Sequence, residues 1–480
     1  MGKTGHFLDK FFMPRTLAIV GATNNPFKMN YKLVSNLVNL GFMGKIYPVN
    51  PNRSQILGIN AYRRLQDIPD KIDLVVSAIP AEKTFGIVKE CESLGIKHIV
   101  VVTGGFSEGG EKGERLHREL DEFIKEKGIR VLGPNTLSPV NSNNNLIISF
   151  NPVSKIVKGG LSFAFQSGFY DLRLGWLCSH YGISKMIDMG NKMDINEVDA
   201  LEYLGLDPDT RVIAMHIESL RGNGRKFFDV LKKVSVRKPT IILKTGRTPE
   251  GSRAAASHTG ALSSGNDIIF DSMIRQTSAV RAQNLDEFFD LAKAFEFLQL
   301  PMGNRISIIT LSGGEGVMAT DSCEIKGLKL AQIGEKTCQK LKVIFPEWEI
   351  PLNPFDAGVC MEFHLTDLRK VFDKLKHLPE DENVDFTIMQ MLPPMLIAKK
   401  RELSEDILVS LRKQYTEMFL NFKASGKPFA LWRTTVDKEE DICAEMLESG
   451  YLPVFQTAER AINALSNLYQ YRQKIMNYQD

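Results

Sequence analysis

One of the chain's eight histidines sits where it could do chemistry. Residues 246–265 read GRTPEGSRAAASHTGALSSG, so His258 stands among alanine, serine, threonine and glycine, with Arg247 and Arg253 just upstream. Neutral imidazole, abundant near pH 7, attacks phosphoryl and acyl groups well. Metal ligation fits poorly, because no second His, Cys or carboxylate lies at ligand spacing. A satisfied surface histidine is the plain alternative. The small residues read as a pliant loop, which suits a nucleophile that must travel between two sites.

Three other stretches could serve such a nucleophile. FQSGF (165–169) follows an apolar run and opens a helical one. Gln166, Ser167 and Gly168 would there present N–H groups and a hydroxyl to an anion at a helix N-terminus, although a simple serine cap explains the pattern too. In RVIAMHIES, Glu218 stands at the end of the strand, either an exposed end residue or the orienting partner of another group. His216, two residues earlier, faces the same side of the strand and reads as packing. In IVGATNNPFK (19–28), Gly21 closes the first strand and could admit a phosphate or pyrophosphate. That turn is not GxGxxG, and the second strand ends in Asn50-Pro51 where an NAD site carries an acidic residue, which argues against NAD. TGGFSEGG (103–110) and GPNT (133–136) also follow apolar runs. They fall on the carboxyl edge of a parallel sheet, where open α/β folds bind ligands.

The elements that must position these residues alternate throughout. TLAIVGA (16–22), KIYPVN (45–50), DLVVSAIP (73–80), HIVVVTGG (98–105) and IRVLGPN (129–135) read as buried parallel strands separated by amphipathic helices. The pattern restarts with GLSFAFQSG (160–168), SKMIDMGN (184–191), RVIAMHIES (211–219) and PTIILKTG (239–246). It restarts again with RISIITLSGGEG (305–316), FTIMQML (386–392) and PFALWRTT (428–435). The expected fold is therefore α/β, with three units in series at 1–150, 151–298 and 299–480.

Bulk composition excludes several classes. With 43% hydrophobic and 24% charged residues and a net charge of +3, the chain reads as an ordinary globular protein of several domains. No basic stripe with interleaved aromatics suggests nucleic acid. The six cysteines lie far apart without a CxxC pair, which fits a reducing compartment and no zinc site. No apolar run has the length of a signal peptide or a membrane span, so a cytoplasmic location with no membrane partner is expected.

YPVNP (47–51), GFSEGG (105–110), GPN (133–135) and above all RAAASHTGAL (253–262) together resemble the α subunit of NDP-forming acyl-CoA synthetases. This is the family of ADP-forming acetyl-CoA synthetase, related to succinyl-CoA synthetase. The resemblance implies a Rossmann-like CoA-binding domain followed by two flavodoxin-like ligase domains. Coenzyme A would be held by Gly21, Ala22, Thr23 and Lys28 at its phosphates and by Lys45 and Pro48 near the adenosine, with Asn50 also in contact. Ile79, Pro80 and Ala81 would follow its chain, with Gly133 and Asn135 completing the site. His258 would become phosphorylated and Glu218 would orient it, while Gln166, Ser167 and Gly168 would hold the phosphoryl group. No metal is expected on this chain. ATP or ADP with Mg²⁺ would bind a separate ATP-grasp β subunit, in an α2β2-type assembly acting on a small carboxylic acid or its acyl-CoA.

Some positions depart from the family pattern. The family's SQSGALG is here FQSGFYDLRLG, which puts Phe169 and Tyr170 beside the phosphate turn. They would narrow an acyl pocket or wall it for a different acid. Thr136 replaces the usual cysteine, PFKMN lacks a glycine after Lys28, and LSGGEG brings Ser312 and Glu315 into the third unit. A carboxylate at that helix start would repel phosphate, so the third unit is expected to be structural. A CoA-binding regulator of the same fold is the alternative function.

Overall fold

The computed structural model describes residues 4–221, 223–259, 267–364, 367–392, 404–435 and 438–478, leaving aside the side chains of Phe169 and residues 255–259. The chain divides into two compact units, 1–284 and 285–480. Among the described residues no helix is long and apolar enough to cross a membrane.

The first sheet forms where continuous β-branched runs bury both faces. Its five parallel strands lie in the order Lys45–Val49, Thr16–Val20, Leu74–Ser77, His98–Val101, Arg130–Leu132. Numbered along the chain this is 2-1-3-4-5, so the winding reverses between Thr16–Val20 and Leu74–Ser77. Ligands bind open α/β sheets in the crevice beyond the carboxyl ends at such a point.

The second sheet repeats this order with Lys158–Phe165, Ile183–Asp188, Val212–Ile217, Thr240–Lys244 and Val280–Ala282. Its reversal lies between Lys158–Phe165 and Val212–Ile217, whose next residues include Gln166, Ser167 and Glu218. Two short strands, Val140–Asn141 and Leu146–Ile147, extend it beyond Ile183–Asp188 in antiparallel fashion. The chain thus enters the second sheet directly after leaving the first. One apolar cluster contains Leu17, Val76 and Leu132 from the first sheet and Ala164, Ile187 and Ile213 from the second. A shared core of this kind holds the two carboxyl edges in a fixed relation.

In the second unit, helix Leu285–Phe297 packs along helix Ala458–Met476. Arg460 Nε bonds Asp290 at 2.5 Å and Lys293 Nζ bonds Glu448 at 2.6 Å. The sheet runs Lys329–Leu330, Arg305–Thr310, Phe386–Gln390, Phe429–Trp432, Val454–Phe455, with Phe355–Asp356 also on Arg305–Thr310. With the short Phe355–Asp356 left aside, it too is wound 2-1-3-4-5.

Two local expectations need correction. The stretch around His258 is a helix over Pro249–Thr259, not a loop. Alanine has the highest helix propensity, and proline at the first helical position is preset for the helix, so small residues here favour a helix. The turn after Gln166 opens as a 3-10 helix, Gly168–Arg173, before the α-helix Leu174–His180. Ser167 precedes it in extended conformation without a side-chain cap bond.

Candidate functional site

At the first reversal point, Gly21 has φ +90°, and a Cβ there would lie 2.7 Å from the Ala78 carbonyl oxygen. Only glycine fits, because the next loop passes directly against it. Asn50 Nδ2 donates to the Ala22 carbonyl at 2.8 Å, and Thr103 Oγ1 donates to the Ile79 carbonyl at 2.7 Å. Pro80 caps helix Ala81–Ser93, and Thr23 Oγ1 accepts from Asn25 N at 3.1 Å. Gly133, φ +95°, and Asn135, φ +60°, end the fifth strand, with Asn135 N bonded to the Thr103 carbonyl at 3.1 Å. Gly21, Ala22, Thr23, Asn50, Ile79, Pro80, Ala81, Gly133 and Asn135 therefore gather on one edge of one sheet. Lys28 is exposed on the loop after Gly21. Lys45 starts its strand at the opposite edge, paired with Asp70 at 2.6 Å. Pro48 is buried within the strand in register with Ile19.

The second reversal point is tied together by one amide. Gln166 Oε1 accepts from Glu218 N at 2.9 Å and Ser219 N at 3.1 Å, while its Nε2 donates to Ser219 Oγ at 3.0 Å. Three bonds from a buried side chain lock the Gln166–Ser167 turn to the loop carrying Glu218. Lys244 Nζ donates to the Glu218 carbonyl at 2.8 Å, so the neighbouring strand is fastened to the same loop. That strand leads into the helix bearing His258. The imidazole itself lies outside the described side chains, as does residue 169. Arg247 pairs with Asp267 at 3.2 Å and Arg253 with Glu250. His216 packs its ring 5.5 Å from Tyr170, and its Nε2 meets Thr245 Oγ1 at 2.9 Å. Burial pushes this imidazole down to about 4, so it is a neutral support.

Two family models match the chain: a CoA binding domain over residues 15–141 and a succinyl-CoA ligase like flavodoxin domain over 158–295. A Pyrococcus furiosus protein named acetate–CoA ligase [ADP-forming] II subunit alpha is 34% identical over 467 residues, covering 96% of this chain and 97% of that one. The chain belongs to the ADP-forming acyl-CoA synthetases. An acetate–CoA ligase [ADP-forming] II of Archaeoglobus fulgidus is 35% identical over 97% of this chain and 67% of its own length. The solved structure of a Ca. Korarchaeum cryptofilum acetyl-coenzyme A synthetase, in complex with phosphate and ADP, superposes with TM-score 0.83. It is 31% identical, covering 98% of this chain and 99% of that one.

In this synthetase the floor of the second site uses residues that motif reasoning missed. Lys192 is buried at φ +52°. Its Nζ donates to the Ser219 carbonyl at 2.6 Å and to Glu197 Oε2 at 3.0 Å. Glu197 Oε1 accepts in turn from Arg221 N at 2.8 Å. The loop after Glu218 is clamped from beneath by this pair. Asn191 Nδ2 donates to Glu108, whose other oxygen accepts from Gly105 N at 2.7 Å, which links GFSEGG to the ligase domain. The signal available was GNKMD at the end of a strand, a polar run where a parallel strand meets its loop.

Asp188, at the end of Ile183–Asp188, accepts from Leu137 N at 3.1 Å and Gly190 N at 3.0 Å. Burial nevertheless pushes its carboxyl up to about 6. A raised carboxyl pKa stabilises the fold below the unfolded value, and that stability is lost as pH rises through the folded value. The stability of the wild type should therefore fall relative to that of Asp188→Asn as pH rises from 4 to 7, by up to about 3 kcal/mol. Thermal unfolding of both proteins across that range checks this, and a pH-independent difference would refute it.

The third sheet carries a related turn with a different occupant. Ser312 Oγ caps the helix Gly313–Ile325 through Glu315 N at 3.4 Å, and Glu315 Oε2 accepts from Trp432 Nε1 at 3.1 Å. The carboxylate at this helix start is held in place by the indole.

Proposed function

We propose that this synthetase interconverts acyl-CoA, ADP and phosphate with a carboxylic acid, ATP and CoA by way of a phosphohistidine at His258. The observation that carries this reading is Gln166, which fixes the Ser167 turn to the Glu218 loop at the reversal point of the sheet leading to the histidine helix. The domains are proposed as 1–150 for CoA, 151–298 for the histidine chemistry and 299–480 as a second ligase domain, with Leu285–Phe297 as the connecting helix. The held carboxylate of Glu315 supports a structural role for the third.

Gly21, Ala22, Thr23 and Lys28 would receive the CoA phosphates. The turn after a strand at the sheet's reversal point is where open α/β folds present free N–H groups to such a ligand. Lys45, Pro48 and Asn50 would lie toward the adenosine, and Ile79, Pro80, Ala81, Gly133 and Asn135 along the chain to the thiol. Phosphate attacks the thioester carbonyl, a C–O bond forms, and the C–S bond breaks to release the thiolate. The acyl phosphate then gives its phosphoryl group to His258: an N–P bond forms, an O–P bond breaks, and the carboxylate leaves. Gln166, Ser167 and Gly168 would hold the phosphate, where donors placed in advance stabilise developing charge. Glu218 would hold the proton on the far imidazole nitrogen, which leaves the attacking nitrogen free. Phosphohistidine gives the group to ADP.

The ADP site is proposed to lie on an ATP-grasp β subunit with its Mg²⁺, in an α2β2-type assembly. The end-to-end match to a relative called a subunit alpha supports a partner chain. The test is calorimetric titration of the chain with CoA, then assay of acetyl-CoA formation with and without a co-expressed ATP-grasp partner. CoA binding by the chain alone and turnover only with the partner are expected. Failure to bind CoA would overturn the first half, and turnover without a partner the second.

A further inference from the structure

A small, partly open cavity lies beside the Ser167 turn. In the reaction proposed above, on which this inference rests, the acyl carbon is bonded first to the CoA sulfur and then to a phosphate oxygen. Its substituent must therefore sit between the end of the CoA site and the phosphate turn. The cavity has Leu137, just beyond Gly133–Asn135, on one wall and Ser167 on another. Phe165, Tyr170, Met186 and Asp188 line much of the rest. Its volume of about 20 Å³ leaves room for roughly one water.

Tyr170 is what fills the space. Its side chain is 2% exposed. The ring lies parallel to Phe165, with centroids 3.6 Å apart and 9° between planes, and it is braced by His216 at 5.5 Å. A ring packed on two sides cannot swing away without breaking those contacts. The two acids that line the cavity are turned to other work: Asp171 binds Ser149 and Asn151, and Asp188 takes two backbone N–H groups. No cation lines the cavity among the described residues, and two carboxyl groups in its walls would repel a second carboxylate on a substrate.

We propose that Tyr170 sets the size limit of the acyl pocket, restricting this synthetase to acetyl-sized, uncharged monocarboxylic acids. The aromatic residue beside the phosphate turn narrows the pocket; it does not wall a larger one.

The test compares wild type, Tyr170→Phe, Tyr170→Leu and Tyr170→Ala, each with the ATP-grasp partner, on acetate, butyrate, phenylacetate and succinate. Wild type and Tyr170→Phe should prefer acetate. In Tyr170→Ala the ratio of kcat/KM for butyrate to that for acetate should rise about tenfold or more, since each methylene a pocket admits or rejects changes selectivity on that scale. Tyr170→Leu should fall between, and it decides the matter if the alanine variant does not fold. Succinate should remain a poor substrate throughout. A wild type that uses phenylacetate as well as acetate, or a chain-length profile that no Tyr170 variant moves, overturns the proposal. A label from [γ-³²P]ATP on wild-type His258 alongside an unmoved profile would mean that the pocket assignment alone is wrong. No label at all would mean that the proposed reaction fails with it.

Discussion

Replacing His258 with alanine should cost at least about a thousandfold in acyl-CoA formation while leaving CoA binding intact. The phosphoryl group has to leave the acyl phosphate and later reach ADP, and His258 is the only nucleophile proposed to carry it. Without the imidazole there is no N–P bond to form. The Ser167 turn and Gln166 would still bind phosphate but would have nowhere to send it. The CoA crevice around Gly21 lies on a different sheet edge, so its affinity reports whether the variant is folded. Steady-state assay with the partner subunit, paired with CoA titration, separates the two effects. Activity within tenfold of wild type would remove His258 from the mechanism.

The second large effect is structural. Lys192→Met should destabilise the first unit by about 3–5 kcal/mol, the scale of breaking a buried ion pair by removing one member. Lys192 and Glu197 are 3% and 1% exposed in their side chains and 3.0 Å apart. Burial holds the ammonium below the usual lysine range, with Glu197 opposing that shift. The same ammonium fastens the Ser219 carbonyl, so the variant should also loosen the loop bearing Glu218 and lower kcat more than it raises KM. Removing both charges, in Lys192→Met with Glu197→Leu, should restore much of the stability but not the turnover. Chemical denaturation and steady-state kinetics on the single and double variants check each part. A single variant as stable as wild type would mean that the pair contributes nothing.

Much of this architecture was legible in the sequence. Runs such as TLAIV and HIVV are too continuously apolar for anything but strands buried on both faces, and they lie in the parallel sheet. Gly21 was readable because a glycine between strand and helix signals close backbone approach. That Gln166, Ser167 and Glu218 stand just beyond strand ends was readable from the apolar runs before them. The long-range ties were not. That Gln166 would bond two N–H groups 52 and 53 residues away depends on which strands become neighbours, and the 2-1-3-4-5 order is set by packing. GNKMD marked Lys192 only as part of a polar run at a strand end; its burial was not readable, since a lysine after a strand normally reaches solvent and only the fold buries it. The helix over Pro249–Thr259 was misread as a loop because smallness was weighed as flexibility, whereas in alanine it favours the helix. The tight space around Tyr170 needed Phe165 and His216 to be seen from three dimensions.

The most direct measurement incubates the chain and a co-expressed ATP-grasp partner with [γ-³²P]ATP and Mg²⁺, for wild type and His258→Ala. Acid-labile, base-stable label on this chain, present in wild type and absent from the variant, is the expected result. CoA binding with no label on wild type, or equal label on both proteins, would contradict a phosphohistidine at His258; the first outcome would point instead to a CoA-binding regulator built on the same fold.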